Sequence, residues 1–326
     1  MDERIRRMAS RRRDLVLASD AESAGVTRAT LRWAVTTGSL VEVGRGAWVP
    51  ASTWEAAGPR SRHLFVLRAA LLRCPGSVAA GRSAAVVWDL PVPDPPPPVP
   101  VLLRPRSQAR PERGGRSRGV LTRRAWLEPD QVTRHLGVPV TTPERTFVDL
   151  ARGLDLPWSL AVADAVRRQL GRSREELLEA ADRHPAAAGH ARARRVAAVA
   201  ESLVESPLES VARGVQLELG LPLPEVQVWI GRDSPELRVD MLVRAYAVVV
   251  EADGRLKYEG PTARAGQVWS DKRRLDRLLV LGYDYQPFVA ADGYRPRAWG
   301  RDLLATFARS CRRLGRPAPR FDLPWA

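Results

Sequence analysis

The chain has 326 residues, 44% of them hydrophobic and 27% charged, which is enough for two or three domains with cores of their own and excludes wholesale disorder. Its formal net charge is +15, and fifty of the fifty-two basic residues are Arg; a charge of that sign and kind favours a polyanionic partner, because guanidinium chelates phosphate and releases counterions on binding. Two cysteines, Cys74 and Cys311, are too few and too far apart for a disulfide scaffold or a zinc site. No apolar run approaches the roughly 20 residues of a membrane helix, and the N-terminus lacks a signal-peptide core, so a cytoplasmic protein without membrane or small-molecule cofactor is expected.

In chain order, residues 1–13 carry Arg4, Arg6, Arg7, Arg11, Arg12 and Arg13, either a DNA-touching arm or the exposed face of a first helix. Asp20 to Ala24 predicts a short helix and Gly25-Val26 a turn; Thr27 is a good N-cap for a helix from Arg28 to Thr37 that Gly38 ends. Leu40 to Val43, Gly44-Arg45-Gly46 and Ala47 to Val49 then read as a hairpin. Helix, turn, helix and hairpin together predict a winged helix-turn-helix at residues 1–56. Its second helix would present Arg28, Thr30 and Arg32 to DNA while Leu31 and Val35 pack inward, and Arg45 would reach a phosphate from the wing tip.

Helices are expected at 59–74 and 82–90, then an extended proline connector from Pro91 to Pro100. Short strands at Val101–Leu103 and Val120–Thr122 flank an Arg/Gly-rich loop, and helices follow at 142–152, 157–170 and 173–181. Residues 57–185 therefore form a mostly helical middle region with short strands. The alanine-rich stretch 186–205 reads as a helix joining two domains, which leaves 206–326 as the last one.

In that last domain Pro207 starts a helix carrying Glu209 and Arg213. Strands are expected at Glu225–Ile230, Leu237–Val243 and Tyr246–Glu251, with Arg244-Ala245 as a tight connection. Alternation puts Val239, Met241 and Val243 on one side of the second strand and Arg238 and Asp240 on the other, while Glu251 and Asp253 point the same way. A hairpin would bring Asp240 and Glu251 together as two hard oxygen ligands, the arrangement Mg²⁺ (or Mn²⁺) asks for, with waters left for a phosphate and a nucleophile. The two lysines, Lys257 and Lys272, flank this cluster. In a helix from about Ala265 to Leu281, Val268, Lys272, Leu275 and Leu279 share one face, so Lys272 would sit on an apolar face and need Asp240, Glu251 or Asp253 as partner. Lys257, four residues beyond Asp253, could lean over a scissile phosphate. The four histidines form no spacing that suggests a ligand set.

The segments Leu208–Arg213, Gly220-Leu-Pro, Arg238-Val-Asp240, Glu251-Ala-Asp-Gly254, Lys257-Tyr258, Asp271–Asp276 and Leu281-Gly-Tyr283 resemble actinobacterial endonuclease-like proteins related to Vsr repair nucleases, of the PD-(D/E)XK superfamily. Upstream, the helix-turn-helix segment, Ser83-Ala-Ala, Val140–Asp149 and Asp164 resemble proteins with an AbiEi-type antitoxin N-terminal domain fused to such a nuclease. The resemblance implies an α+β multidomain chain with a restriction-endonuclease-like α/β domain at its C-terminus. It also implies metal-dependent DNA cleavage, with Asp240 and Glu251 as metal ligands, Glu209 as an accessory acid, and Lys257 or Lys272 stabilising phosphorane charge. Three departures stand out: Asp253 takes the position two after the metal-binding Glu where Lys is usual, Asp271-Lys272 replaces Glu-Lys, and Pro287 marks the last strand as an edge. A reading from another class competes: an AbiEi-type regulator that binds promoter DNA, a cognate toxin being its further partner, with the nuclease-like domain catalytically silent. No aromatic stacking sheet points to RNA.

Overall fold

The computed structural model describes residues 2–11, 13–93, 96, 100–105, 115–117, 119–183, 188–232, 234–253 and 263–317. The backbone divides into two compact units, Met1–Asp149 and Leu150–Ala326, each a mixture of helices and sheet.

The first unit opens with α1 (Glu3–Arg11). Ile5, Met8 and Ala9 are buried at helical spacing and Arg4, Arg6, Arg7 and Arg11 are exposed, so the arginine run is the solvent face of a helix; Arg12 lies outside the described residues. A short strand β1 (Val16–Leu17) precedes α2 (Ala18–Ser23) and α3 (Arg28–Thr36). The hairpin β2 (Leu40–Gly44) and β3 (Ala47–Pro50) follows, and β3 lies between β1 and β2 in a three-stranded sheet. Thr27 caps α3 as expected, its hydroxyl oxygen accepting the Thr30 N–H at 3.1 Å. Ile5, Met8, Val16, Ala21, Val26, Leu31, Ala34 and Leu40 form the core beneath.

After α4 (Ala51–Ala56), α5 (Pro59–Arg73) and α6 (Gly81–Trp88) flank a sheet more extensive than the sequence suggests. Its strands are β4 (Val78–Ala79), β5 (Val101–Pro105), β6 (Gly115–Ser117), β7 (Val120–Ala125), β8 (Val132–His135) and β9 (Val138–Thr141), in the order β6-β7-β5-β4-β9-β8. The middle region thus carries more short strands than the two expected, and they pair in one sheet. His63 and Ser83 tie α5, α6 and β5 together: His63 Nε2 lies 3.0 Å from Ser83 Oγ, which accepts the Val101 N–H at 2.8 Å. The motif Val140–Asp149 has a structural use as well. From α7 (Pro143–Ala151), the buried Arg145 guanidinium donates to Asp149 at 2.9 Å, the Trp126 carbonyl at 3.1 Å and Gln131 Oε1 at 2.9 Å.

The second unit begins with α8 (Leu156–Leu170), α9 (Arg174–Asp182) and α10 (His190–Val199). The connecting helix expected over 186–205 is thus shorter and is no connector: Ala193, Val196 and Ala197 are buried as α10 packs on α8 and α9. It stops because the chain turns extended at Ala200, whose carbonyl accepts Arg167 Nη1 at 2.5 Å and Arg174 Nη2 at 3.1 Å. These three helices cluster with the residues that follow them, so the division of the chain falls at residue 149 and not in the alanine-rich stretch.

Helix α11 (Pro207–Glu218), N-capped by Ser206, leads into β10 (Glu225–Ile230), β11 (Leu237–Val243) and β12 (Val248–Asp253). Then come α12 (Ala263–Val280), β13 (Asp284–Val289) and α13 (Pro296–Arg313). One turn of 3₁₀ helix, Arg244–Tyr246, joins β11 to β12 and ends at Ala247 with φ 50°. The sheet runs β10-β11-β12-β13, antiparallel except for the parallel β12–β13 pair, with Pro287 on an edge strand as expected. On one face Met241, Val243, Val248, Val250 and Phe288 pack with Val211 and Val215 of α11 and Leu303 and Phe307 of α13; on the other, Leu242 and Val249 pack with Leu278 of α12.

Helices α8 and α11 approach closely because Gly214 has no side chain: a Cβ there would lie 2.4 Å from Pro157 Cα. Gly214→Ala is expected to destabilise the protein by about 1–3 kcal/mol or more through overpacking, read as a lower urea midpoint. An unchanged midpoint would mean that the two helices separate without loss.

Candidate functional site

In the second unit the carboxylates gather where β11 and β12 part. The last ladder pair is Met241 with Val250. One residue further, Asp240 and Glu251 are not paired through the backbone; Asp240 Oδ2 instead accepts the Ala252 N–H at 3.1 Å. Side-chain alternation breaks at the same place. Val239, Met241 and Val243 are all buried, but Val239 packs with Leu242 on the α12 side, so the single shared face expected for these three does not hold. Glu251 and Asp253 do share a side: Arg274 of α12 reaches Glu251, and the Tyr285 hydroxyl donates to Asp253 Oδ2 at 3.2 Å.

Glu209 lies in the first turn of α11, only 5% exposed. Its N–H is capped by Ser206, and its Oε2 accepts the Glu205 N–H at 3.0 Å and Gln227 Nε2 at 2.8 Å. Gln227 holds φ 53°, an uncommon value for a residue with a side chain. Burial pushes the Glu209 carboxyl above its ordinary pKa and the charge of Asp240 pushes the same way, against its hydrogen bonds. Glu251 is raised for the same first reason, burial; Arg274 pulls it down, while Asp240 and Asp253 push it up.

Lys272 does not stand where the helical spacing put it. Lys272 is exposed, as are Leu275 (36%) and Leu279 (53%); α12 turns Arg274 and Leu278 toward the sheet, and Leu281 just past its end packs there too. The supposed apolar face is therefore mostly solvent-facing, and the argument that a buried Lys272 must find a carboxylate falls away. Lys257 lies outside the described residues. The cation that the sequence reading missed is Arg274. Its Nε donates to Glu251 Oε1 at 3.1 Å and its Nη2 to the same oxygen at 2.5 Å, while Nη2 also reaches the Arg238 carbonyl. A signal was present: Arg274 and Leu278 stand four apart, on one face of the helix.

The donor set as placed does not fit Mg²⁺ or Mn²⁺. Glu251 is held by a guanidinium, and among the described residues no three His, Cys, Asp or Glu side chains converge on a point that could hold a metal.

In the first unit, Arg28 and Arg32 are exposed one turn apart on α3, and Arg45 is exposed at the hairpin turn. All three line one open groove of about 950 Å³, together with Glu22, Glu42 and Trp48. One expectation needs correction: Val35 is 37% exposed and Ala34 packs inward in its place. Thr30 is half-buried, its hydroxyl 2.9 Å from Thr27 Oγ1. Trp33, 65% exposed on the same helix, was not foreseen as a surface residue.

Residues 3–51, which hold α1 to α3 and the hairpin, match the family described as transcriptional regulator, AbiEi antitoxin. Uncharacterised proteins from two strains of Mycobacterium tuberculosis are 32% identical to this chain over 163 residues, 50% of its length and 59% of theirs. The chain thus spans about three fifths of the curated relatives it matches. A crystal structure of another Mycobacterium tuberculosis protein is 20% identical, covering 69% of this chain and 83% of its own, with a TM-score of 0.39. Among the described residues no helix is long and apolar enough to cross a membrane.

Proposed function

We propose that the chain is a DNA-binding transcriptional regulator of the antitoxin kind. The single observation that carries this reading is the family match over residues 3–51, the segment in which Arg28, Arg32 and Arg45 stand exposed around one groove. In this reading α2, α3 and the hairpin act as a winged helix-turn-helix. Helix α3 enters the major groove, Arg28 and Arg32 read base edges, and Arg45 holds a phosphate from the wing. The net charge of +15 adds a strong, salt-sensitive attraction to DNA, and a cognate toxin is the second partner. The test is binding of the full chain to its own promoter at physiological salt, expected for the wild type and undiminished in Asp240→Ala. No shift of the promoter fragment would sink the reading.

The second reading, a metal-dependent DNA endonuclease, has in its favour that Asp240 lies near enough to both Glu209 and Glu251 for its charge to push their carboxyls upward. It requires Arg274 to withdraw from Glu251. Cutting of supercoiled plasmid with Mg²⁺ or Mn²⁺, present in wild type and absent in Asp240→Ala, would establish it.

A further inference from the structure

The second unit holds an arginine where an acidic cluster would call for a metal. Asp240 lies close enough to repel both Glu209 and Glu251, Asp253 also repels Glu251, and Glu251 is largely withdrawn from solvent, its side chain 13% exposed. Arg274 reaches them from α12. Its guanidinium binds the Glu251 carboxylate on β12 through Nε and Nη2, and Nη2 also donates to the carbonyl of Arg238, two residues before Asp240 on β11. One side chain therefore bridges the two strands that carry the acids, at the place where their ladder ends.

We propose that Arg274 is the built-in counter-ion of this acidic centre and that it keeps divalent cations off Asp240 and Glu251. A guanidinium offers five N–H donors in a rigid plane, so it satisfies a carboxylate and a carbonyl together. A cation would have to displace those bonds and shed water of its own, which Mg²⁺ does reluctantly. The inference is independent of DNA binding by the first unit.

Mn²⁺ alone, titrated into the full chain by calorimetry and by water-proton relaxation, tests it. Arg274→Gln keeps a hydrogen-bond donor and removes the charge; Arg274→Met keeps the aliphatic stem, so that a folding failure of one leaves the other to decide. The expected result is Mn²⁺ binding at least about tenfold tighter in these variants than in wild type, the gain of uncompensated negative charge in a poorly solvated site. Adding Asp240→Asn should abolish the gain. Wild type binding Mn²⁺ as tightly as the variants, or folded variants that gain no affinity, would overturn the proposal.

Discussion

Arg213→Ala is expected to cost about 3–5 kcal/mol of stability, because it leaves a carboxylate buried without its counter-charge. Arg213 and Asp164 are 5% and 2% exposed and meet at 2.8 Å across the contact of α8 and α11. Asp164 also accepts the Glu201 N–H at 2.7 Å, and Arg213 Nη2 donates to the Val199 carbonyl at 2.9 Å. This one pair thereby joins α8, α11 and the end of α10. Burial pushes Asp164 from the ordinary 3.8 up to about 6, with Arg213 the main force in the other direction. A folded-state pKa above the unfolded one means that protonation favours the fold. That contribution is complete below about 3.8 and is lost as pH rises through about 6. Without Arg213 the folded pKa rises further, so the variant should lose more stability at pH 8 than at pH 5 in urea unfolding. An equal cost at both would mean that the pair is not an ion pair in the folded protein.

Arg28→Ala combined with Arg32→Ala should lower promoter affinity by about two orders of magnitude or more, since a bidentate guanidinium-to-base contact is worth roughly 1–3 kcal/mol. Arg28 and Arg32 stand one turn apart on the exposed side of a helix held by Leu31 and Ala34, which fixes their common direction. Removing base-reading arginines should narrow the gap between promoter and scrambled DNA. Arg45→Ala, a phosphate contact in this account, should weaken both DNAs alike and reduce the salt slope by about one. Competition assays at several salt concentrations separate the two behaviours. A double variant that binds promoter and scrambled DNA as the wild type does would remove α3 from the interface.

The elements that announced themselves in the sequence are those with local signals. Thr27 is a cap and Pro207 a helix start in the structure as in the sequence, and the hairpin around Gly46 forms because a positive φ, here 75°, is available there. What escaped depends on distant partners. The sheet of the first unit pairs Ala79 with Val140 across sixty intervening residues, and β4 has only two residues, too few for a period to show. Hydrophobic spacing does not decide the face of α12. Leu275, Leu279 and Val280 remain exposed, while an ion pair from Arg274 to Glu251 faces the sheet. The acids themselves were legible, as strand-end carboxylates around Asp240 and Glu251; the guanidinium that holds one of them was not, because fifty arginines leave no single one conspicuous.

The most direct measurement incubates the full chain with its own promoter fragment at physiological salt and Mg²⁺, and reads binding and the integrity of the DNA in one reaction. The account predicts a salt-sensitive complex with intact DNA, the same for wild type and Asp240→Ala, and lost in Arg28→Ala with Arg32→Ala. An unbound promoter, or DNA cut by the wild type and spared by Asp240→Ala, would contradict it.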